Sequence, residues 1–205
     1  MADTSPLESI GPAILEQLTL KNSAREQGLA ASRAIIRLSA NSIRAVHRSE
    51  FSQAGALLDD ARRIRDEASV ALAQHPDVYF AGFLHDAQKE YAEARITLAL
   101  LSGNPLPGPA DLAVELPAYL NGLGEAIGEL RRAILDRLRS GRFSGCEDLL
   151  RAMDDMYAFL TTVDFPDAMT AGLRRTTDQA RGILERTRGD LTVAIAQQRT
   201  ADRMG

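Results

Sequence analysis

The chain has 205 residues, of which 45% are hydrophobic and 25% charged, and its formal net charge is −4. This composition is typical of a folded globular protein rather than a disordered one, and the length suits one large domain. The single cysteine, Cys146, excludes an internal disulfide and a cysteine-based metal site. The N-terminal segment lacks the pattern of a signal peptide. The chain also lacks an apolar run of the roughly 20 residues that a membrane span needs. We therefore expect a cytoplasmic protein without a membrane partner.

Apolar residues recur at three- and four-residue spacing along nearly the whole chain, and no alternating strand pattern persists. The pattern predicts helices at residues 6–47, 51–74, 77–101, 117–140, 143–163 and 166–188, and a last one from 190 to the end. The clearest break is the proline- and glycine-rich connector at residues 102–109. The sequence thus predicts an all-α, single-domain bundle of about seven helices over residues 1–205.

The first predicted helix carries a row of arginines opposite its apolar face. Four side chains fall within an arc of about 60°: Arg33, Arg37, Arg44 and Arg48. No acidic residue occurs between residues 27 and 49, so no neighbour one turn away neutralises the row. A second basic concentration comprises Arg174, Arg175, Arg181, Arg186 and Arg188. Such rows can follow a phosphate backbone, although a solvated or oligomer-contacting face is also possible. His47 borders the apolar face and is interpreted as a packed rather than a catalytic residue.

Three acidic residues lie close together on the third predicted helix. The buried stripe of this helix is predicted to comprise Phe80, Phe83, Ala87, Tyr91, Ala94 and Leu98. Asp86, Glu90 and Glu93 lie along one flank, with Glu90 beside the core face, where an uncompensated charge is costly. An arginine, a shared proton or a divalent cation could compensate the charge, and the spacing alone leaves all three open.

A second acidic pair, Glu125 and Glu129, lies one turn apart in the segment YLNGLGEAIGELRR. Both residues face away from the apolar side of their helix, so periodicity alone favours a surface pair salt-bridged to Arg132. The three glycines of the segment would let another helix, or a substrate backbone, approach closely. Facing the E-x-x-E pair of the third helix, the two glutamates would complete an all-oxygen site for Mg²⁺ or Mn²⁺.

Four segments occur in the order expected of the translin superfamily: RAIIRLSANSIRAVHR, GFLHDAQKEYAEA, PAYLNGLGEAIGELRR and GLRRTTDQARGILERTRGDLT. Over residues 25–195 the chain resembles the prokaryotic members akin to translin-associated factor X. The resemblance implies an all-α protomer that assembles into a hollow homo-octamer and binds single-stranded RNA and DNA. It further implies a Mg²⁺-dependent endoribonuclease whose acidic site faces the interior of the shell.

The resemblance also implies which residues act. The catalytic and metal-binding carboxylates fall on Glu90, Glu93, Glu125 and Glu129, with Asp86 an outer member or a bystander. The non-catalytic branch of the family lacks the first acidic pair, which this chain keeps. The eukaryotic catalytic subunit has aspartate at the position of Glu125, so the side chain here is one methylene longer. The strand would be drawn in by Arg33, Arg37, Arg44, Arg48, Arg174 and Arg175.

Two other functions stay open at the level of sequence. A non-catalytic translin-like protein that binds single-stranded RNA and DNA would use the acids only in ion pairs across protomers. An all-α nucleotide pyrophosphohydrolase would pair an E-x-x-E motif with an E-x-x-D motif around Mg²⁺. The segment EAIGE, which holds the second acidic pair of this chain, does not contain the E-x-x-D motif. A ferritin-like di-iron site is disfavoured because no E-x-x-H occurs in the chain.

Overall fold

A computed structural model describes residues 6–204, and all regular structure within this range is helical. The six long helices are α1 (Pro6–His47), α2 (Phe51–Ala71), α4 (Phe83–Leu101), α6 (Leu116–Arg139), α7 (Cys146–Thr161) and α9 (Leu173–Met204). Three single turns separate them: α3 (Pro76–Tyr79), α5 (Pro109–Leu112) and α8 (Asp167–Thr170). The predicted all-α class is confirmed. Residues 1–5 and 205 of the predicted domain lie outside the described residues.

Helix α6 is the centre of the bundle. It packs against α4, α7 and α9, and α4 packs in turn against α1 and α2. Apolar residues recur every three or four positions along α6, which gives it a continuous buried stripe. This stripe includes Leu123, Ile127, Leu130 and Ile134. The core therefore fixes α4 and α6 side by side, and these two helices carry all the predicted acidic site residues.

The predicted third helix, residues 77–101, is two helices separated by a turn. α3 ends at Tyr79 and α4 begins at Phe83, and Gly82 between them has a φ of +98°, which glycine adopts without strain. Phe80 was predicted to be buried, but it is 71% exposed because it precedes this turn and lies outside the register of α4. The remaining members of the predicted stripe are buried or half-buried.

The C-terminal region also differs from its predicted organisation. Instead of helices at 166–188 and from 190 onwards, the single turn α8 is followed by the continuous helix α9. The actual break lies at Gly172, whose φ is +79°. The sequence predicts a break near Gly189, but a glycine inside a helix costs only about 1 kcal/mol. Ion pairs of its neighbours Arg188 and Asp190 with α7 and α6 hold the helix on both sides of it.

The other predicted helices agree with the structure to within three residues at each end. The connector is confirmed as a break, because the chain is irregular from residue 102 to 108 and then enters α5. The prolines and glycines of the connector therefore predicted the end of α4 correctly, whereas Gly189 lies inside α9 and does not end a helix.

The first half of α1 extends beyond the bundle. Residues 7–23 are exposed apart from the half-buried Gly11, and Ala24 is the first buried residue of the chain as described. The exposed side chains of Ile10, Ile14 and Leu18 share one face of this arm. No helix in residues 6–204 is nevertheless long and apolar enough to cross a membrane. The cytoplasmic location stays a prediction.

Candidate metal centre

The candidate site lies where α4 and α6 run side by side. Gly122 of α6 permits the close approach, because a Cβ there would lie 2.7 Å from the backbone oxygen of Lys89 and 3.0 Å from the backbone nitrogen of Glu93. Any larger side chain would push the two helices apart. The expectation that glycines near Glu125 admit a neighbouring helix is therefore confirmed, and that helix is α4.

Three of the four predicted carboxylates converge at this contact. Glu90 and Glu93 lie one turn apart on α4, and Glu125 comes from α6. One carboxylate oxygen of each residue lies within 4.8 Å of the other two. Mg²⁺ and Mn²⁺ prefer oxygen ligands, so a group of carboxylates at this separation has the right chemistry for either ion.

Glu93 is buried and has no partner of its own. The residue is 9% exposed and forms neither a hydrogen bond nor an ion pair with any side chain in residues 6–204. Burial raises the pKa of Glu93 to about 8, and the negative charges of three neighbouring glutamates add to the effect, against the opposing charge of Lys89. A carboxylate in these surroundings holds its proton at neutral pH unless a cation joins it. Glu93 therefore fits a ligand of a divalent cation.

Lys89 supplies the positive charge that the chain itself contributes to the cluster. Its Nζ lies 2.7 Å from Oε1 of Glu125 and 3.3 Å from Oε1 of Glu90. Burial lowers the pKa of Lys89, but the hydrogen bond and charge of Glu125 and the charge of Glu90 outweigh it, so the pKa is raised overall. The ammonium group stays charged and pairs with Glu125 and Glu90, but not with Glu93. The sequence pattern did not mark Lys89, although it directly precedes Glu90.

The fourth predicted carboxylate, that of Glu129, lies beside the cluster but has other partners. Its Oε2 is 2.5 Å from Nε2 of His47 and 3.7 Å from Nη1 of Arg132. Only 6% of the His47 side chain is exposed, which agrees with its interpretation as a packed histidine. The pair joins the end of α1 to α6. Glu129 contributes its charge to the surroundings of Glu93, while its oxygens are not among the three that converge.

A cleft of about 990 Å³ opens beside the acidic cluster. Lys89, Glu125 and the exposed Asp86 contribute to its lining from α4 and α6. Arg174 and Arg175 contribute from the start of α9, and both are exposed. Neither arginine forms an ion pair with an acidic side chain in the described part of the chain, so both charges are available to an anionic ligand.

The buried side chain of Asn121 fixes the start of α9 against α6. Its Nδ2 donates to the backbone oxygen of Thr170 at 2.9 Å, and its Oδ1 accepts a hydrogen bond from the Thr176 hydroxyl at 2.6 Å. Gly124 permits this packing, since a Cβ there would lie 2.5 Å from Cγ2 of Thr176. One stretch of α6 thus positions both Glu125 and the arginines of α9. In the sequence, only its position one turn before Glu125 indicated that Asn121 belongs to the site.

The predicted arginine row of α1 does not line the cleft. Its four side chains are exposed, as predicted: Arg33, Arg37, Arg44 and Arg48. Arg48 is neutralised by an ion pair with Glu50 at 2.6 Å. Arg33 and Arg37 have no acidic partner within residues 6–204. The row is therefore an exposed surface that does not contribute to the lining of the cleft.

Comparisons with known proteins place the chain among its relatives. No family model matches it. MJ0175, an uncharacterized protein of Methanocaldococcus jannaschii, is 32% identical over 185 residues, which cover 89% of this chain and 81% of that protein. The crystal structure of AfC3PO has a TM-score of 0.84 and 32% identity, over 91% of this chain and 97% of that one. Apo-NeC3PO, with a TM-score of 0.81 at 18% identity over 95% of this chain and 100% of that one, supports the fold alone.

AfC3PO has also been solved in a complex with duplex RNA, and that chain is 33% identical to this one with a TM-score of 0.84. The similarity extends over 91% of this chain and 96% of that one, so it concerns the whole bundle rather than one segment. It agrees with the order of the four sequence segments and with the all-α architecture. The chain therefore belongs to the translin family, as a prokaryotic, C3PO-like member.

Proposed function

We propose that this protein binds RNA and is a metal-dependent endoribonuclease that cleaves single-stranded RNA. Cleavage would take place inside a hollow homo-octamer. The observation that carries the proposal is the convergence of Glu90, Glu93 and Glu125 beside a cleft, which Glu125 lines together with Arg174 and Arg175. One carboxylate of the cluster and two groups able to hold a phosphate thus line the same cleft. Phosphodiester hydrolysis uses this combination, because the charge that develops on the phosphate must be neutralised.

Glu90, Glu93 and Glu125 are the residues that would hold Mg²⁺ or Mn²⁺. Such an ion neutralises charge on a phosphodiester and makes water a stronger nucleophile. The buried carboxylate of Glu93, which has no other partner among residues 6–204, supports the assignment. So does the arrangement of the cluster, since Lys89 pairs with Glu90 and Glu125 and leaves Glu93 without an ion-pair partner among the described residues. Glu129 would support the centre through its charge from the neighbouring position.

Arg174 and Arg175 would position the strand by contacting its phosphates. Among the described residues, no phenylalanine or tyrosine lines this cleft, and His85 is its one aromatic ring. We therefore expect binding to be mainly electrostatic, salt-sensitive and weakly sequence-selective, and to extend to single-stranded DNA. The complex of AfC3PO with duplex RNA supports RNA as the ligand class. The exposed row of Arg33, Arg37, Arg44 and Arg48 would bind phosphates outside the cleft.

Incubation of a labelled single-stranded RNA with the purified protein and Mg²⁺ tests the proposal. Cleavage should require the metal, stop on addition of EDTA, and be lost in the Glu90→Gln/Glu93→Gln variant while RNA binding remains. Glutamine keeps the shape of the side chain and removes the charge, so the fold should survive. Glu67→Gln, at an exposed residue of α2, is the control and should cleave like the wild type. Cleavage that persists in the double variant would contradict the proposal.

A second candidate function is RNA binding without cleavage. The ion pairs of Lys89 with Glu125 and Glu90 favour it, because they give these acids a structural role that needs no metal. Under this alternative both the wild type and the Glu90→Gln/Glu93→Gln variant would bind RNA without cutting it. The variant would instead lose stability or assembly, measured by thermal unfolding and light scattering.

A further inference from the structure

Lys89 is bound to two of the three carboxylates that a divalent cation would need. Its Nζ bridges α4 and α6 through Glu90 at 3.3 Å and Glu125 at 2.7 Å. An ammonium group and a divalent cation repel each other when both contact the same carboxylates. Occupancy by one therefore weakens the binding of the other.

The charge of the cluster also favours an exchange between the two cations. Three carboxyl groups meet at the site, and Lys89 pairs with only two of them, Glu90 and Glu125. A divalent cation binds more tightly as the carboxylate charge around it increases. Movement of the ammonium group out of the cluster would therefore strengthen the binding of the incoming ion.

The type of residue at position 89 suits a movable cation. The chain contains 22 arginines but only two lysines, Lys21 and Lys89. Lysine carries a compact charge on a flexible stem, whereas the planar guanidinium of arginine forms two parallel hydrogen bonds with a carboxylate. Lys89 also lines the same cleft as Arg174 and Arg175. Rotation of its stem would move the ammonium group away from Glu90 and Glu125 into the space of the cleft, which Arg174 and Arg175 also line.

We infer that Lys89 is an exchangeable counter-ion. A divalent cation at Glu90, Glu93 and Glu125 displaces its ammonium group, which then contacts an RNA phosphate in the cleft. The inference rests on the proposed function and makes Lys89 a positioning residue, neither a metal ligand nor a base. It couples the two ligands, because metal and RNA each favour the same displaced position of Lys89.

Calorimetric titration with Mn²⁺ in the absence of RNA tests the exchange. Lys89→Gln should bind Mn²⁺ more tightly than the wild type by roughly fivefold or more, the lower end of ordinary coupling between ligands. Lys89→Arg keeps the competing charge and should bind Mn²⁺ no more tightly than the wild type. Lys21→Gln removes the other lysine, from a surface ion pair with Asp77, and should leave the affinity unchanged. A merely structural Lys89 predicts the opposite result, a weaker affinity in Lys89→Gln.

RNA binding gives an independent measurement. Fluorescence anisotropy of a labelled single-stranded RNA is followed with and without Ca²⁺ as the probe ion. Ca²⁺ should tighten RNA binding of the wild type, and the gain should be smaller in Lys89→Gln, which has no ammonium group to release. An equal gain in both proteins would overturn the inference.

Failure of the exchange and failure of the metal centre give different results. If Lys89→Gln and the wild type bind Mn²⁺ equally, and Glu93→Gln binds it poorly, the centre stands and the exchange is wrong. If neither the wild type nor Lys89→Gln binds Mn²⁺, both the centre and the exchange are wrong. The same holds if Glu93→Gln binds Mn²⁺ as the wild type does. Circular dichroism of each variant establishes that the compared proteins are folded.

Discussion

Gly122 of α6 lies so close to Glu93 of α4 that no side chain fits between them, since a Cβ at 122 would be 3.0 Å from the Glu93 backbone nitrogen. The contact sets the separation of the acidic residues, because α6 carries Glu125 and α4 carries Glu90. Lys89 bridges Glu125 and Glu90 across this contact, whereas Glu93 has no ion-pair partner among residues 6–204. The bundle core, a glycine and the ion pairs of Lys89 therefore bring the three carboxyl groups together.

Gly122→Ala should move α6 away from α4 and separate Glu125 from the two glutamates of α4. We expect a loss of about 1–3 kcal/mol in the free energy of unfolding, as for other overpacked cores, and weaker Mn²⁺ binding. Gly128→Ala on the same helix is the matched control, because its Cβ would meet only Ile183 at 3.8 Å. It should be neutral or stabilising by up to about 1 kcal/mol. Equal effects of the two substitutions in urea unfolding would contradict the prediction.

The raised pKa of Glu93 predicts that the metal-free protein loses stability as pH rises. In the unfolded chain this carboxyl ionises near its ordinary value of 4.5, whereas in the folded protein its pKa is about 8. Between these values the folded state binds more protons than the unfolded state, so each increase in pH favours unfolding. The contribution is complete below the unfolded pKa and is lost as pH passes the folded pKa.

Thermal unfolding in EDTA across this pH range measures the effect. Glu93→Gln cannot ionise, so its melting temperature should fall less than that of the wild type between the two pKa values, and it should be the more stable protein at the alkaline end. Glu67→Gln, whose side chain is 65% exposed in the wild type, should follow the wild-type curve. Parallel curves for the wild type and Glu93→Gln would show that this carboxyl is not the cause.

The fold could be predicted from the sequence because helical periodicity is a local property. The predicted helix boundaries were wrong where the local sequence signal was ambiguous. Gly82 lay inside a predicted helix and Gly189 between two predicted helices. Of the two, only Gly82 has a positive φ, and α4 begins directly after it. Gly189 remains helical because ion pairs of the adjacent residues hold α9 to its neighbours. Such tertiary contacts are not visible in the spacing of apolar residues.

The sequence predicted the acidic residues of the candidate site better than its other residues, such as Lys89. The spacing of Glu90 and Glu93 and the family resemblance indicated the first two carboxylates. Glu125 faces away from the apolar side of α6, so periodicity alone favoured a surface role, yet the cleft lies on that side. Lys89 next to a glutamate resembles any exposed helix charge. Its role depends on the approach of α6, which only the three-dimensional structure defines.

The two basic surfaces should contribute differently to RNA binding. Arg174→Ala/Arg175→Ala removes two charges from the cleft, and Arg33→Ala/Arg37→Ala removes two exposed, unpaired charges from α1. We expect the first variant to bind single-stranded RNA more weakly, with a salt slope lowered by about 0.7 for each phosphate that is no longer neutralised. Its cleavage should fall more than that of the second variant.

Titrations at several salt concentrations measure both slopes under the same conditions. The two variants carry the same change in net charge, so a difference between them reflects the position of the arginines rather than the overall charge of the protein. A larger loss of binding and cleavage in the α1 variant would mean that the strand follows the outer row instead of the cleft.

The exposed arm of α1 should contribute to self-association of the protein. Ile10, Ile14 and Leu18 are 50–56% exposed and share one face of a helix that leaves the bundle. Burying one such side chain against another copy contributes about 1.5–3 kcal/mol, and a closed assembly repeats the contact in every protomer. Ile14→Asp should therefore yield particles of lower mass in light scattering, with unchanged helix content.

Thr19→Asp is the matched control for the arm. It introduces the same charge into the same exposed segment, but on the side of the helix away from Ile14. Because it removes no apolar side chain, it should leave the mass of the assembly unchanged. An equal fall in mass for both variants would indicate that the added charge, rather than the loss of apolar burial, opens the assembly. An unchanged mass in Ile14→Asp would show that the protomers associate through other surfaces.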